Sequence, residues 1–529
     1  MLVGRPRLAG ALLALLSLSA PGWLGAQAAG GPSLVIAGAV VIDVRSGAQR
    51  PGSTVVVRGN RIVAVVPDSE FRVPRGVARV DAGGRYLVPG LWDMHVHTAA
   101  ITMIPGQEFE ANAAYVFPLF LAHGVTGIRD MSGKLETLRR WRDSVARGLR
   151  LGPRMVVTGR KVGGALPVVP GGPHPVRTAA DVRRSVRLLR EHGADFVKVD
   201  GLPVSLYPVL FEAARAEGLR VAGHVPPWIG LGELADDGIW TAEHLQGVFL
   251  DASTRRRELL RREQWARTWW GRLLIRLRLW NIRETQRRDR RTVVDTWSDS
   301  AVQVLAARLR RNGTWETPTL IGLRDIAGEP PATPREDQLP YRLPFHDKKV
   351  LDESDVDIPN VKKRLDLYYR AAGALAREGV PLLAGSDMPG TRRVPGFSLI
   401  EELEELERAG LTPLQALEAA TLNPARALGF ADSLGTIEPG KLADLVLLDR
   451  NPLEGARNLR TVWAVVVNGR FLGRAELDRM LSDVRQLALE TRALAARTAL
   501  ARPAAGTGGA GPLPPAGPPD RSGGFTPAP

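Results

Sequence analysis

The 529-residue chain contains no cysteine. That excludes disulfides, cysteine-based zinc sites and thiol nucleophiles, so a bound metal must be held by His, Asp, Glu or a modified Lys. The N-terminal apolar run, Leu8 to Ala20, is too short for a comfortable membrane span. It follows Arg5 and Arg7 and precedes Ala26-Gln27-Ala28, so residues 1–28 are expected to be a secretory signal cleaved near Ala28. An exported protein follows, with an uncleaved anchor as the alternative. Basic charge is not spread along the chain either. The formal charge is +15, but residues 251–291 hold 14 Arg against 5 Asp and Glu, a net of +9. The remainder is mildly basic, and no nucleic-acid partner is expected.

What the chain does have is a regular succession of strand and helix signals. Both ends carry short alternating strands, LVIAGAVVID and STVVVRGNRIVAVV early, LADLVLLD and TVWAVVVNGRFLG late. These predict one small β-sandwich domain built from residues 29–86 and 432–473. Between them, residues 87–431 read as eight strands with helices in between, the pattern of a (β/α)8 barrel. One helix is expected to be capped by Thr178 and to stop at Gly193. Residues 474–501 predict one long amphipathic helix, and the Pro/Gly/Ala-rich tail 502–529 is expected to be disordered.

The strand YLVPGLW ends in Asp93-Met94-His95-Val96-His97. Side chains two apart on a strand share a face, so His95 and His97 point the same way and can chelate one ion. Under the eight-strand assignment Lys198 ends strand four, His224 strand five, His244 strand six and Asp387 strand eight. Strand ends on one rim of a barrel converge, and these six residues therefore form one candidate site.

The landmarks LVPGLWDMHVH, GVTGIRDM, AGHVP, EHL, LLAGSD and GTIEPGKLADLVLLDRNPL resemble the amidohydrolase superfamily, in its imidazolonepropionase-like and Xaa-dipeptidase-like branch. The resemblance implies two divalent ions, expected to be zinc. His95, His97 and Asp387 would hold one, His224 and His244 the other, and Lys198, carboxylated by carbon dioxide, would bridge them. It also implies that a metal-bridged hydroxide attacks an amide carbonyl of a dipeptide or N-acyl amino acid. Asp387 would take up and pass on the proton. A plain Lys198 paired with Asp200, leaving one metal, is the alternative at that position. A cyclic amide, a lactone or ester, or a xenobiotic amide would use the same ligands. A non-catalytic surface-binding protein working through its Arg/Trp segment is the rival of another class.

Three further residues are candidate substrate contacts. His174 lies in a loop on the active-site side, and Arg392 and Arg393 follow Asp387 and could grip a carboxylate. His123, His192 and His346 are expected to serve helix ends or loops. The insertion 251–297 is expected to form a helical lid with its tryptophans packed inward over the site. Its mixture of Trp265, Trp269, Trp270 and Trp280 with arginines leaves peripheral membrane contact as the other reading. An oligomer is possible on the sequence alone.

Overall fold

The computed structural model describes residues 33–163, 174–333, 335–347, 358–390 and 392–500. The expected signal 1–28 and tail 502–529 lie outside the described residues.

The two chain ends meet in one eight-stranded sheet. Leu34–Ile42 pairs with Gln49–Arg58, Ala78–Asp81 and Tyr86–Pro89. Leu445–Leu448 runs antiparallel to Tyr86–Pro89, followed outward by Val462–Val467 and Arg470–Leu472. Strand periodicity splits each central strand between two cores. Leu87, Leu445 and Leu447 pack with Ile36, Val41 and Val55 on one face. Val88, Val446 and Leu448 pack on the other, against the main body. At the far edge, beyond Arg61–Pro67, Ile62 donates to the Lys441 carbonyl at 2.8 Å and Ala443 to that of Asn60 at 2.8 Å. The sheet thus curls back towards the chain that leads into its own C-terminal strand.

The rest is a mixed α/β fold with parallel sheets. Leu91–Val96, Val125–Asp130 and Arg154–Val157 form one parallel set. The second contains Val162–Gly163, Val197–Asp200, Val221–Gly223, Thr241–Glu243 and Trp315–Thr317, with His174–Pro175 at its edge. Leu91–Val96 and Val125–Asp130 are buried at every position, as expected where both faces of a parallel sheet are covered. Backbone hydrogen bonds join the two sets on both flanks. On one, Asp195 donates to the Val157 carbonyl at 2.8 Å. On the other, residues 382–388 bridge Glu316 to Val96 in parallel register.

Helices follow the strands in the expected order. Ala179–Glu191 carries a capping box on Thr178 and is followed by Gly193 at φ +79°, the left-handed position that glycine tolerates best. The long C-terminal helix spans Arg474–Leu500. The insertion folds into the helices Val248–Ala252, Arg256–Ala266, Trp269–Arg276 and Ile282–Asp295.

Candidate metal centre

All five predicted His and Asp ligands come to one end of the parallel strands. His95 and His97 do share a face. Their Nε2 atoms lie 3.5 and 3.2 Å from Asp387 Oδ1. One ligand atom from each of His95, His97 and Asp387 fits within a 4.8 Å cluster. His224 and His244 face each other, Nε2 to Nε2, at 3.2 Å. The His244 ring sits 4.6 Å from that of His95, centroid to centroid, which joins the two groups.

Each histidine is anchored through its other nitrogen. His95 Nδ1 meets Glu243 Oε2 at 2.7 Å, and His97 Nδ1 meets Ser132 Oγ at 2.9 Å. His224 Nδ1 meets Asp200 Oδ1 at 2.9 Å, and His244 Nδ1 meets Thr319 Oγ1 at 2.6 Å. Fixing Nδ1 in this way selects the orientation that presents Nε2 to an ion. His95 Nε2 is buried and has no hydrogen-bond partner. Two ligands sit on left-handed backbone, His244 at φ +65° and Asp387 at φ +51°. Such conformations are costly for non-glycine residues and cluster at functional sites.

The electrostatics suit metal ligands. Burial, with the Lys198 charge, pushes His95 down to about 3. Burial, again with Lys198, takes His224 to about 4, and burial with the His95 charge holds His244 well below its ordinary value. Neutral imidazoles are the binding form. Burial would raise the Asp387 carboxyl, but the His97 hydrogen bond and the charges of His95 and Arg393 hold it well below the usual range.

Lys198 is fully buried, and its Nζ has no hydrogen-bond partner. Burial is the main cause that lowers its ammonium to about 7. The alternative pairing with Asp200 is not formed. Asp200 is engaged instead by His224 and by Lys161 Nζ at 3.2 Å.

Sequence reasoning missed the layer behind the ligands. Glu243 sits directly before His244 in the EHL landmark, but no role was assigned to it. It is fully buried, and burial would raise it. Arg129, His95 and Lys198 together hold it well below its ordinary value. Arg129 is itself buried, reaching Glu243 Oε1 at 3.0 Å and the Met94 carbonyl at 2.7 Å. Asp93 accepts from Ser386 Oγ at 2.6 Å, tying the strand Leu91–Val96 to the segment bearing Asp387. Arg129→Met strands the Glu243 charge, and we expect a loss of about 3–5 kcal/mol of stability in chemical denaturation. A loss below about 1 kcal/mol would show that the pair carries no such burden.

The remaining candidates divide. Arg393 is buried, and its Nη1 donates to the Asp387 carbonyl at 2.6 Å and to Asp387 Oδ2 at 3.1 Å. It therefore fixes a candidate ligand. Arg392 is exposed beside it, and the His174 side chain lies outside the described residues. His123 and His192 close helix ends through the Leu119 and Leu188 carbonyls, both at 2.7 Å, and His346 Nε2 meets the Arg393 carbonyl at 3.1 Å.

A cavity of about 550 Å³ opens beside Asp200 and His224. Trp228, Phe249 and Tyr368 wall it, as do Leu259, Glu263, Asp289 and Arg290 of the insertion. The insertion thus borders the site as a lid would. Its tryptophans do not pack inward as expected: Trp269 and Trp270 are 65% and 63% exposed. The cavity wall is built from the Arg256–Ala266 and Ile282–Asp295 helices instead.

Parallel strands that present clustered histidines and one aspartate at their ends define an α/β protein whose strand ends carry a group able to hold a metal ion. Residues 343–472 match the Amidohydrolase family model. Adenine deaminase 3 of Rhizobium meliloti (strain 1021) is 25% identical over 470 residues, covering 85% of this chain and 59% of the relative. The chain therefore spans little more than half the length of that relative. Bottromycin amidohydrolase is a structural neighbour at TM-score 0.61 and 25% identity, covering 86% of this chain and 90% of its own. A Xaa-Pro dipeptidase with bound methionine superposes at TM-score 0.61 and 20% identity, covering 83% and 99%. The amidohydrolase resemblance is borne out.

Proposed function

We propose that the chain is an exported, metal-dependent amidohydrolase cleaving the amide of a dipeptide or N-acyl amino acid. In this reading the two parallel sets form one (β/α)8 barrel, supported by the hydrogen bonds on both flanks. The curled terminal sheet is its sandwich-like companion. The observation that carries the reading is the convergence of four Nε2 atoms, each on a ring whose Nδ1 is already anchored. Unpartnered, buried His95 Nε2 and Lys198 Nζ mark where ligands are missing a partner.

His95, His97 and Asp387 would hold one ion and His224 and His244 the other, zinc by donor type, supplying Lewis acidity and a water made acidic near neutral pH. Lys198 becomes an oxygen donor to both only once its amine is carboxylated, since an ammonium has no lone pair. Asp387 is the general base: it accepts the proton of the attacking water and delivers it to the departing amine. Arg393 fixes the carboxylate for that transfer through Oδ2.

The cavity supports a substrate bearing a carboxylate. Its acids are already engaged: Asp200 with Lys161, Glu263 with Arg267 at 2.8 Å, and Asp289 with Arg262. Arg290 and Arg364 also line it, and no ion pair within 4 Å engages either one among the described residues. Two like charges left facing a cavity favour an anion between them. Arg290→Ala and Arg364→Ala are each expected to raise KM about tenfold with a smaller change in kcat. Substrates with an amidated C-terminus should lose the same factor and be insensitive to the substitutions. Equal sensitivity of acid and amide substrates would remove this assignment.

A library of dipeptides and N-acyl amino acids, assayed with zinc-loaded protein, tests the function itself. Turnover confined to lactones or cyclic amides would overturn it in favour of the alternative that shares these ligands.

A further inference from the structure

Helix Trp269–Arg276 turns its apolar side away from the protein. At 100° per residue, Trp269, Leu273, Leu277 and Trp270 fall within an arc of about 100°. The opposite side is the one that packs. Gly271 is buried, and a Cβ there would meet the Trp265 carbonyl oxygen at 2.4 Å, so the helix rests on the backbone of the preceding one. The outward arc is left to solvent: Trp269 is 65% exposed, Trp270 63% and Leu277 56%, with Leu279 in the next turn at 73%. This inverts the usual placement of an amphipathic helix, whose apolar stripe faces the core.

Charge says what covers it. Residues 264–282 contain four Arg, four Trp and no Asp or Glu. Elsewhere in the insertion several arginines are paired, as in Arg255 with Glu258 and Arg262 with Asp289. Arg272, Arg276 and Arg278, which flank the apolar arc, are exposed and have no ion pair among the described residues. No described helix is long and apolar enough to cross a membrane. Exposed Trp and Leu ringed by unpaired Arg, on a helix too short to span, match the chemistry of an interfacial segment.

We propose that residues 269–279 dock the protein onto an anionic lipid surface, with Trp269, Trp270, Leu277 and Leu279 entering the headgroup region and Arg272, Arg276 and Arg278 meeting lipid phosphates. The insertion that carries this tip also walls the cavity beside His224, so docking holds the cavity's lid at the membrane.

Flotation of the full chain with vesicles tests this. Vesicles of phosphatidylcholine alone are compared with vesicles of equal parts phosphatidylcholine and phosphatidylglycerol. At about 0.1 M salt the anionic vesicles should bind at least about tenfold more protein, and about 0.5 M salt should release most of it. The W269S/W270S double variant and the R272Q/R276Q/R278Q triple variant should each lose about tenfold in binding, with unfolding temperatures unchanged. Absence of binding to anionic vesicles at low salt overturns the proposal, as does undiminished binding by both variants. Self-association in light scattering that W269S/W270S abolishes, with no vesicle binding, assigns the face to a second copy and overturns it too.

Discussion

Asp387→Asn is expected to keep much of the bound metal and to lose hydrolysis by about 10³-fold or more. Asn presents an oxygen of similar reach, so the cluster with His95 and His97 can survive. The amide cannot accept a proton. Asp387 is suited to the part of base because its carboxyl stays ionised in spite of burial, held down by His97, His95 and Arg393. The sign follows from that: a depressed carboxyl is available as a base across neutral pH and loses that capacity only in strong acid. Steady-state kinetics and metal content on the same preparation check the split. Near-normal turnover with normal metal would end the proton-transfer role.

Lys198→Met is expected to reduce the bound ions from about two per chain to about one and to lower activity at least about 100-fold. The fold should not suffer. Lys198 is buried without a hydrogen-bond partner, and exchanging an unpartnered buried amine for a methionine of similar length removes a desolvation cost. Thermal unfolding of the metal-free variant should match or exceed that of the parent chain. The pairing separates two readings of Lys198. A ligand loses metal without losing stability, whereas a structural lysine would lose stability while the metal count held. Destabilisation with two ions retained would contradict the assignment.

The parts of the site that were legible in the sequence are those fixed by local geometry. Period-two alternation put His95 and His97 on one face, and the strand-then-helix order put Lys198, His224, His244 and Asp387 at strand ends. Thr178 announced its helix for the same reason, since a cap is a contact over three residues. The supporting layer was not legible, because its partners are set by tertiary packing. Arg129 and Glu243 are 114 positions apart, and neither carries a local sign of burial. Arg393 follows Asp387 closely enough to be noticed, but only the buried turn shows that it points back at the carboxylate. The tryptophans of the insertion reverse the usual inference from hydrophobicity. Residue type predicted burial, while the packing of Gly271 decides which side of the helix faces the protein. Arg290 and Arg364 belong to helices 282–295 and 358–377, and no sequence rule joins them across one cavity.

The central claim is a paired metal site assembled from five anchored ligands and one buried lysine. Elemental analysis after reconstitution of the full chain with zinc and bicarbonate tests it most directly. Two ions per chain, give or take a few tenths, are expected. Fewer than about one ion per chain would contradict the paired site.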